Sequence, residues 1–261
     1  MPQTAQPPQS ATWRVHLDRT MWVGGVRGLM LQALHPLAML GVWQNSGFQD
    51  DPFGRLRRTA DFVGRVTFGS PEEADAIGRR VRDIHRGLRI ALPGGRVRRV
   101  DDPELLLWVL AGLADSALVV YERYVRELSA TERDAYWQDY RVIGGLFGLA
   151  GDEMPADIDA FDAYMDGMLR SGDLTVTPEA RELGVQIVLR PPVPLAARPL
   201  LELANQITVG LLPRTIGRQY GLRWDPARAL ALHGGAEYVK RVVVPLLPAR
   251  VRIASSARAT A

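Results

Sequence analysis

Cysteine is absent from the 261-residue chain. Disulfides, thiolate-bound zinc, iron–sulfur clusters and a thiolate axial ligand to iron are therefore excluded. The absence also fits a reducing, cytoplasmic setting. Histidine is scarce, at four residues: His16, His35, His85 and His233. Lysine is nearly missing, since Lys240 is the only one, so the net charge of +3 rests on arginine. Those arginines are scattered and accompany no recognition-helix motif, which argues against nucleic acid as a partner. The chain has no His-Glu-x-x-His, no phosphate-cradling glycine loop, no Gly-x-Ser-x-Gly and no dinucleotide fingerprint. Long unbroken apolar runs are lacking as well. Arg27, His35 and Pro36 interrupt Trp22–Trp43, and Asp115 interrupts Leu105–Val120. A spanning helix needs about 20 mostly apolar residues, so no transmembrane segment is expected. Met1–Ser10 is polar and proline-rich, without the apolar run of a signal peptide. These features predict an unstructured tail over 1–15, one domain over 16–250 and a short tail over 251–261.

What is present reads as helix. Apolar residues make up 47% of the chain, enough for one sizeable core. A capping side chain followed by proline occurs at Asp51-Pro52, Ser70-Pro71, Asp102-Pro103, Thr177-Pro178 and Asp225-Pro226. The capping oxygen accepts from a free backbone N–H, and proline suits the first helical position because its missing N–H costs nothing there. Ser129-Ala-Thr-Glu132 reads as a capping box. Pro93-Gly94-Gly95, the Pro191–Pro194 segment, Pro213 and Pro248 act as stops. The pattern predicts helices over 20–43, 52–67, 71–91, 103–128, 131–149, 156–170, 178–189, 195–211 and 226–244, with a short extended turn between Gly95 and Val100. The fold class is all-α, a single domain of about nine or ten helices around a central apolar helix. That central helix is assigned to 20–43, apolar on most of its circumference. Gly24, Gly25 and Gly28 on it allow close approach of either another helix or a flat ligand. His35-Pro36 should kink it.

Few residues qualify for chemistry. His85 sits at the edge of the stripe Ala74, Ile77, Val81, Ile84 and Leu88, with Arg82, Arg86 and Arg89 adjoining. A neutral imidazole there can face a pocket, and imidazole nitrogen is a common protein ligand to haem iron. Arg55, Arg58 and Thr59 share one helical face that Phe62 and Val66 continue. Two guanidiniums and a hydroxyl at the head of an apolar stripe suit carboxylates such as haem propionates, or a polarised oxygen species. A solvated arginine face is the plainer reading of the same residues. The acidic residues between Asp152 and Asp166 alternate with Phe161, Tyr164, Met165 and Met168, as in an ordinary amphipathic helix.

Several segments together resemble the oxygenase family that includes bacterial latex-clearing protein and the MpaB-type oxygenases. They are Leu31-Gln-Ala-Leu-His-Pro36, Arg55-Leu-Arg-Arg-Thr59, Val66-Thr-Phe-Gly69, Ile84-His85 and Asp102-Pro-Glu-Leu-Leu-Leu-Trp-Val109, with Pro199–Pro213 and Gly221-Leu-Arg-Trp224 following. The resemblance runs from Thr20 to Pro245. It implies an all-α bacterial protein around haem b, acting with molecular oxygen on a hydrophobic, isoprenoid-type molecule. On that basis His85 is the expected iron ligand. Arg55, Arg58 and Thr59 match the family's basic and threonine positions beside the haem, and His35 matches a recurrent position counted among the cofactor-binding residues. The chain departs from the pattern at Leu110, where many relatives carry histidine, and near Met39, where the glutamate proposed for rubber cleavage has no counterpart. Rubber cleavage is accordingly not expected. A helical binding protein that has lost haem or its chemistry is the alternative reading.

Overall fold

The computed structural model describes residues 10–18, 21–47, 50–190, 193–222, 226–243 and 246. Within those spans, the side chains of residues 22, 52, 53, 55–58, 186–188, 197, 200, 203, 226, 228, 231, 242 and 243 are outside the description. Helices account for most of the described chain: α1 (Ala11–His16), α2 (Met21–Gln32), α3 (Pro36–Asn45), α4 (Pro52–Phe68) and α5 (Pro71–Gly87). A two-stranded antiparallel hairpin follows, β1 (Arg89–Ala91) and β2 (Val97–Arg99), in the register Arg89↔Arg99, Ile90↔Arg98 and Ala91↔Val97. Then come α6 (Pro103–Tyr124), α7 (Ala130–Phe147), α8 (Ile158–Ser171), α9 (Pro178–Arg181), α10 (Arg198–Leu211), α11 (Arg214–Gln219) and α12 (Pro226–Tyr238). Two π-helical stretches, Glu182–Val188 and Val239–Val243, extend α9 and α12. The fold class is all-α, as the sequence predicts.

The capping signals act locally, and so they carry over. Asp51, Ser70, Asp102, Ser129 and Thr177 each accept from a backbone N–H in the first turn of the helix they precede. Ser70 and Glu73, like Ser129 and Glu132, form reciprocal capping boxes. Asp225 lies outside the described residues.

Three expectations are corrected. The predicted helix over 20–43 is two helices. The backbone leaves helical geometry at Ala33–His35, and Pro36 opens α3 with His35 as its cap. Proline removes one ladder bond and clashes with the preceding turn, and here that ends the helix instead of kinking it. Secondly, residues 11–15, expected within the unstructured tail, belong to α1. Ala11, Thr12 and Val15 are buried, and Asp139 on α7 accepts from the Thr12 backbone N–H at 2.8 Å. Thirdly, α6 and not 20–43 is the central helix.

Thirteen residues of α6, from Leu105 to Tyr124, are buried. By length and composition α6 could cross a bilayer, Asp115 notwithstanding, but most of it is covered by neighbouring helices. Its principal partner is α2. A Cβ at Gly24 would sit 3.3 Å from the Ser116 carbonyl oxygen, and one at Gly28 would sit 3.2 Å from Leu113. Gly24 and Gly28 therefore serve close helix packing, whereas a Cβ at Gly25 would meet nothing within 4 Å. Arg27 crosses the same interface. It reaches Asp115 at 2.5 Å, Ser116 Oγ at 2.8 Å and the Leu211 carbonyl at 2.9 Å, tying α2 to α6 and α10.

Candidate functional site

Four consecutive helices each turn one stripe toward a shared cavity of about 370 Å³. From α4 come Thr59, Phe62, Val63, Val66 and Thr67, and from α5 come Val81 and His85. Leu106, Val109, Leu110 and Leu113 come from α6, and Tyr140, Ile143, Gly144 and Phe147 from α7. The spacings are i, i+3, i+4, i+7, the period of one helical face. Gln32, at the end of α2, and Leu149 complete the lining. The volume and apolar character are those of a small-molecule or cofactor site.

His85 and Thr59, singled out independently by sequence, line this one cavity. Phe62 and Val66 join them, as the stripe predicts. Arg55 and Arg58 lie in the first turns of α4, one turn before Thr59 and Phe62 in helical register; their side chains are outside the described residues. His35 does not line the cavity. It is buried at the start of α3, where Nδ1 accepts from the Ala38 backbone N–H at 3.4 Å. Burial also lowers its pKa, partly offset by Glu104. His233 is exposed and bonded to Arg123 at 2.7 Å.

His85 occupies the last turn of α5. Its Nδ1 is buried and has no hydrogen-bond partner. Burial pushes its pKa below the ordinary imidazole value, although the Asp101 carboxylate pulls the other way. The ring is therefore neutral at pH 7 and has a free lone pair to offer. Leaving a buried polar atom unpaired costs roughly 1–3 kcal/mol, so an unpaired imidazole nitrogen on a residue that lines a cavity points to a ligand at that residue.

The position of His85 depends on how α5 is clamped to α7. Arg82, one turn earlier, donates to the Leu146 carbonyl. Gly78, two turns earlier, meets the same carbonyl, and an added Cβ would approach its oxygen to 2.6 Å. That neighbour is backbone at the end of a helix and has little room to give. Gly78→Ala should therefore push α5 away from α7 and cost about 1–3 kcal/mol, the usual range for overpacking. Thermal melts of the two proteins check this, and an unchanged melting temperature would refute the clamp.

Sequence reasoning missed the far wall. Tyr140 lines the cavity, but its hydroxyl is bonded to His16 Nε2 at 3.0 Å, and Tyr136 Oη lies 3.1 Å from the same nitrogen. The Tyr136 and Tyr140 rings also stand against each other at a centroid distance of 4.8 Å. His16 stacks on both rings at centroid distances of 6.1 and 6.0 Å. The tyrosines' i, i+4 spacing on α7 was a visible signal. Their partner, about 120 residues upstream beside the expected tail, was not.

Desolvation holds the pKa of the partly buried His16 at about 4 and pushes that of Tyr140 up to about 12. For the histidine, the folded pKa lies below the unfolded value of 6.5. Its contribution to stability is thus complete above about pH 6.5 and is lost as pH falls toward 4. The depression corresponds to about 3 kcal/mol at 1.4 kcal/mol per pH unit. Between pH 7 and pH 4.5 the urea midpoint should fall further for the native protein than for His16→Gln. Equal falls would show that His16 is not buried in neutral form.

A family profile described as ER-bound oxygenase mpaB/B'/Rubber oxygenase, catalytic domain, matches residues 13–241. The match begins within α1, in keeping with its place in the domain. Comparisons with curated proteins and with solved structures give no match.

Proposed function

The chain belongs to the mpaB and rubber-oxygenase catalytic-domain family, and on that premise we propose that its α4–α7 cavity holds haem b, with His85 as the iron ligand, for oxidation of a hydrophobic, isoprenoid-type small molecule by molecular oxygen. The observation that carries this reading is that His85 lines an apolar cavity while its imidazole has a buried Nδ1 without a hydrogen-bond partner. An imidazole kept neutral by burial is a competent ligand as it stands, whereas a protonated one would first have to lose its proton.

When bound, haem would supply the binding and activation of oxygen. The chain's own residues provide the setting. Phe62, Val63, Val66, Leu110, Leu113 and Phe147 keep water from the cavity and favour an apolar substrate. Thr59 and Thr67 on α4 and Gln32 on α2 bring polar groups to its lining. The Gln32 amide donates to the Val109 carbonyl at 3.2 Å, which holds that side chain in place. Arg55 and Arg58 are assigned to the propionates or to bound oxygen from their family positions. Gly144 keeps room at the α6–α7 wall, since a Cβ there would meet Leu110 at 2.8 Å and Met154 at 2.5 Å.

Leu110 favours a second reading. It lines the cavity at the position where many relatives carry histidine. A helical protein that binds an apolar ligand without haem fits that replacement. One spectrum separates the two. Protein expressed with a haem precursor should show a Soret band that moves when carbon monoxide is added, which reports both the haem and an exchangeable iron position. A protein with no Soret band and no iron would be the cofactor-free form.

A further inference from the structure

The cavity reading gives His85, Thr59 and the apolar walls their tasks but leaves the His16–Tyr136–Tyr140 cluster unused. We propose that Tyr140 is a redox-active residue of the site, giving up an electron toward the haem cavity while its phenolic proton passes to His16. This inference rests on the haem reading above.

Three observations carry it. Tyr140 stands at once on the cavity wall and within hydrogen-bond reach of a buried imidazole nitrogen, 3.0 Å away. The imidazole is neutral, and in its Nδ1–H tautomer Nε2 carries the lone pair that receives the proton. Tyr136 stands against the Tyr140 ring at a centroid distance of 4.8 Å, with its own hydroxyl 3.1 Å from the same His16 nitrogen. Tyr140 is buried, which keeps solvent from its phenol as the proton acceptor, and loss of an electron without a proton would leave a charged phenol cation in an apolar interior. A chain of hydrogen-bonded groups in low dielectric avoids that charge at the ring. A structural role alone would need only one phenol to satisfy the buried imidazole nitrogen.

The oxidant is a peroxide acting at the haem. Hydrogen peroxide takes up two electrons and two solvent protons and becomes two waters, with its O–O bond broken. One electron comes from the haem and the other from the Tyr140 ring. As that electron leaves, the Tyr140 O–H bond breaks and an N–H bond forms at His16 Nε2. The products on the protein are a neutral phenoxyl radical and an imidazolium. Tyr136 remains against the Tyr140 ring.

The test uses the full-length, haem-loaded protein mixed with hydrogen peroxide, freeze-quenched and read by electron paramagnetic resonance. A phenoxyl signal is expected and should be lost in Tyr140→Phe, which keeps the ring and leaves the Soret band and circular dichroism unchanged. In His16→Gln the yield should fall and the solvent-deuterium effect on radical formation should disappear. Tyr136→Phe, which keeps the neighbouring ring, should retain the radical. An undiminished phenoxyl signal in Tyr140→Phe overturns the proposal, as does an oxidised haem with no radical. Should the protein take up no haem, the cofactor reading fails by itself. The pair is then tested in haem-free protein by pulse radiolysis with azide radicals, in a Tyr238→Phe background that removes the exposed tyrosine. A long-lived phenoxyl absorption lost on adding Tyr140→Phe supports the redox role of Tyr140, and its persistence excludes it.

Discussion

Alanine at position 85 should abolish the Soret band of protein expressed with a haem precursor. His85 is the one histidine on the cavity wall. His16 is fully engaged with two tyrosines, His35 caps a helix, and His233 faces solvent beside Arg123. With no cysteine in the chain, no thiolate can substitute. Among the described lining residues, the groups left after His85→Ala are threonine hydroxyls and an amide, which are weak ligands for iron, and the phenol of Tyr140, which would ligate only as phenolate and is held neutral by a pKa of about 12 and bonded to His16. The truncation removes an imidazole from a half-buried position at the end of α5 and should leave the fold intact, so circular dichroism should be unchanged. Imidazole added to His85→Gly should restore the band by filling the vacated space. The converse variant, Leu110→His, sets a second imidazole on the same wall and should weaken the response to carbon monoxide by competing for iron. An intact Soret band in His85→Ala would remove the ligand assignment.

Truncation of Arg27 should be the most damaging single change to stability outside the cavity. Arg27 is 3% exposed and pairs with Asp115, whose side chain is 22% exposed. Removing one member of such a pair strands the other beside an apolar interface and also orphans the Leu211 carbonyl and Ser116 Oγ. Breaking a buried pair in this way costs about 3–5 kcal/mol, against 0–1 for a surface pair. For a chain of this size that is a fall of roughly 10 °C in melting temperature. Asp115 keeps some contact with solvent, so the loss should fall toward the lower end of the range. Arg27→Met with Asp115→Leu should recover much of it, because an apolar pair of similar volume needs no partner charge. If Arg27→Ala melts within a degree or two of the native protein, the α2–α6–α10 tie is ornamental.

Both predictions turn on interactions of very different range, and that difference decides what could be read in advance. Helix starts were legible because a cap and the N–H it satisfies lie within three residues of each other. The stripes were legible for the same reason: Thr59, Phe62 and Val66 share a face in any α-helix. His35-Pro36 was legible as a disturbance, but whether the chain kinks or breaks depends on what packs against both halves. The π-helical stretch after α9 left no mark in the pattern.

The amino-acid sequence by itself determined the all-α class, most helix boundaries, and which face of each helix carries the apolar and chemically active residues. These follow from backbone hydrogen bonding and a 3.6-residue period, both properties of a few neighbouring residues. Only the tertiary structure decided that the stripes of α4, α5, α6 and α7 enclose one cavity, that α6 is the central helix, and that His16 is buried against Tyr136 and Tyr140. Those facts depend on contacts between residues as many as 124 positions apart, and burial at such a site is conferred by the partner.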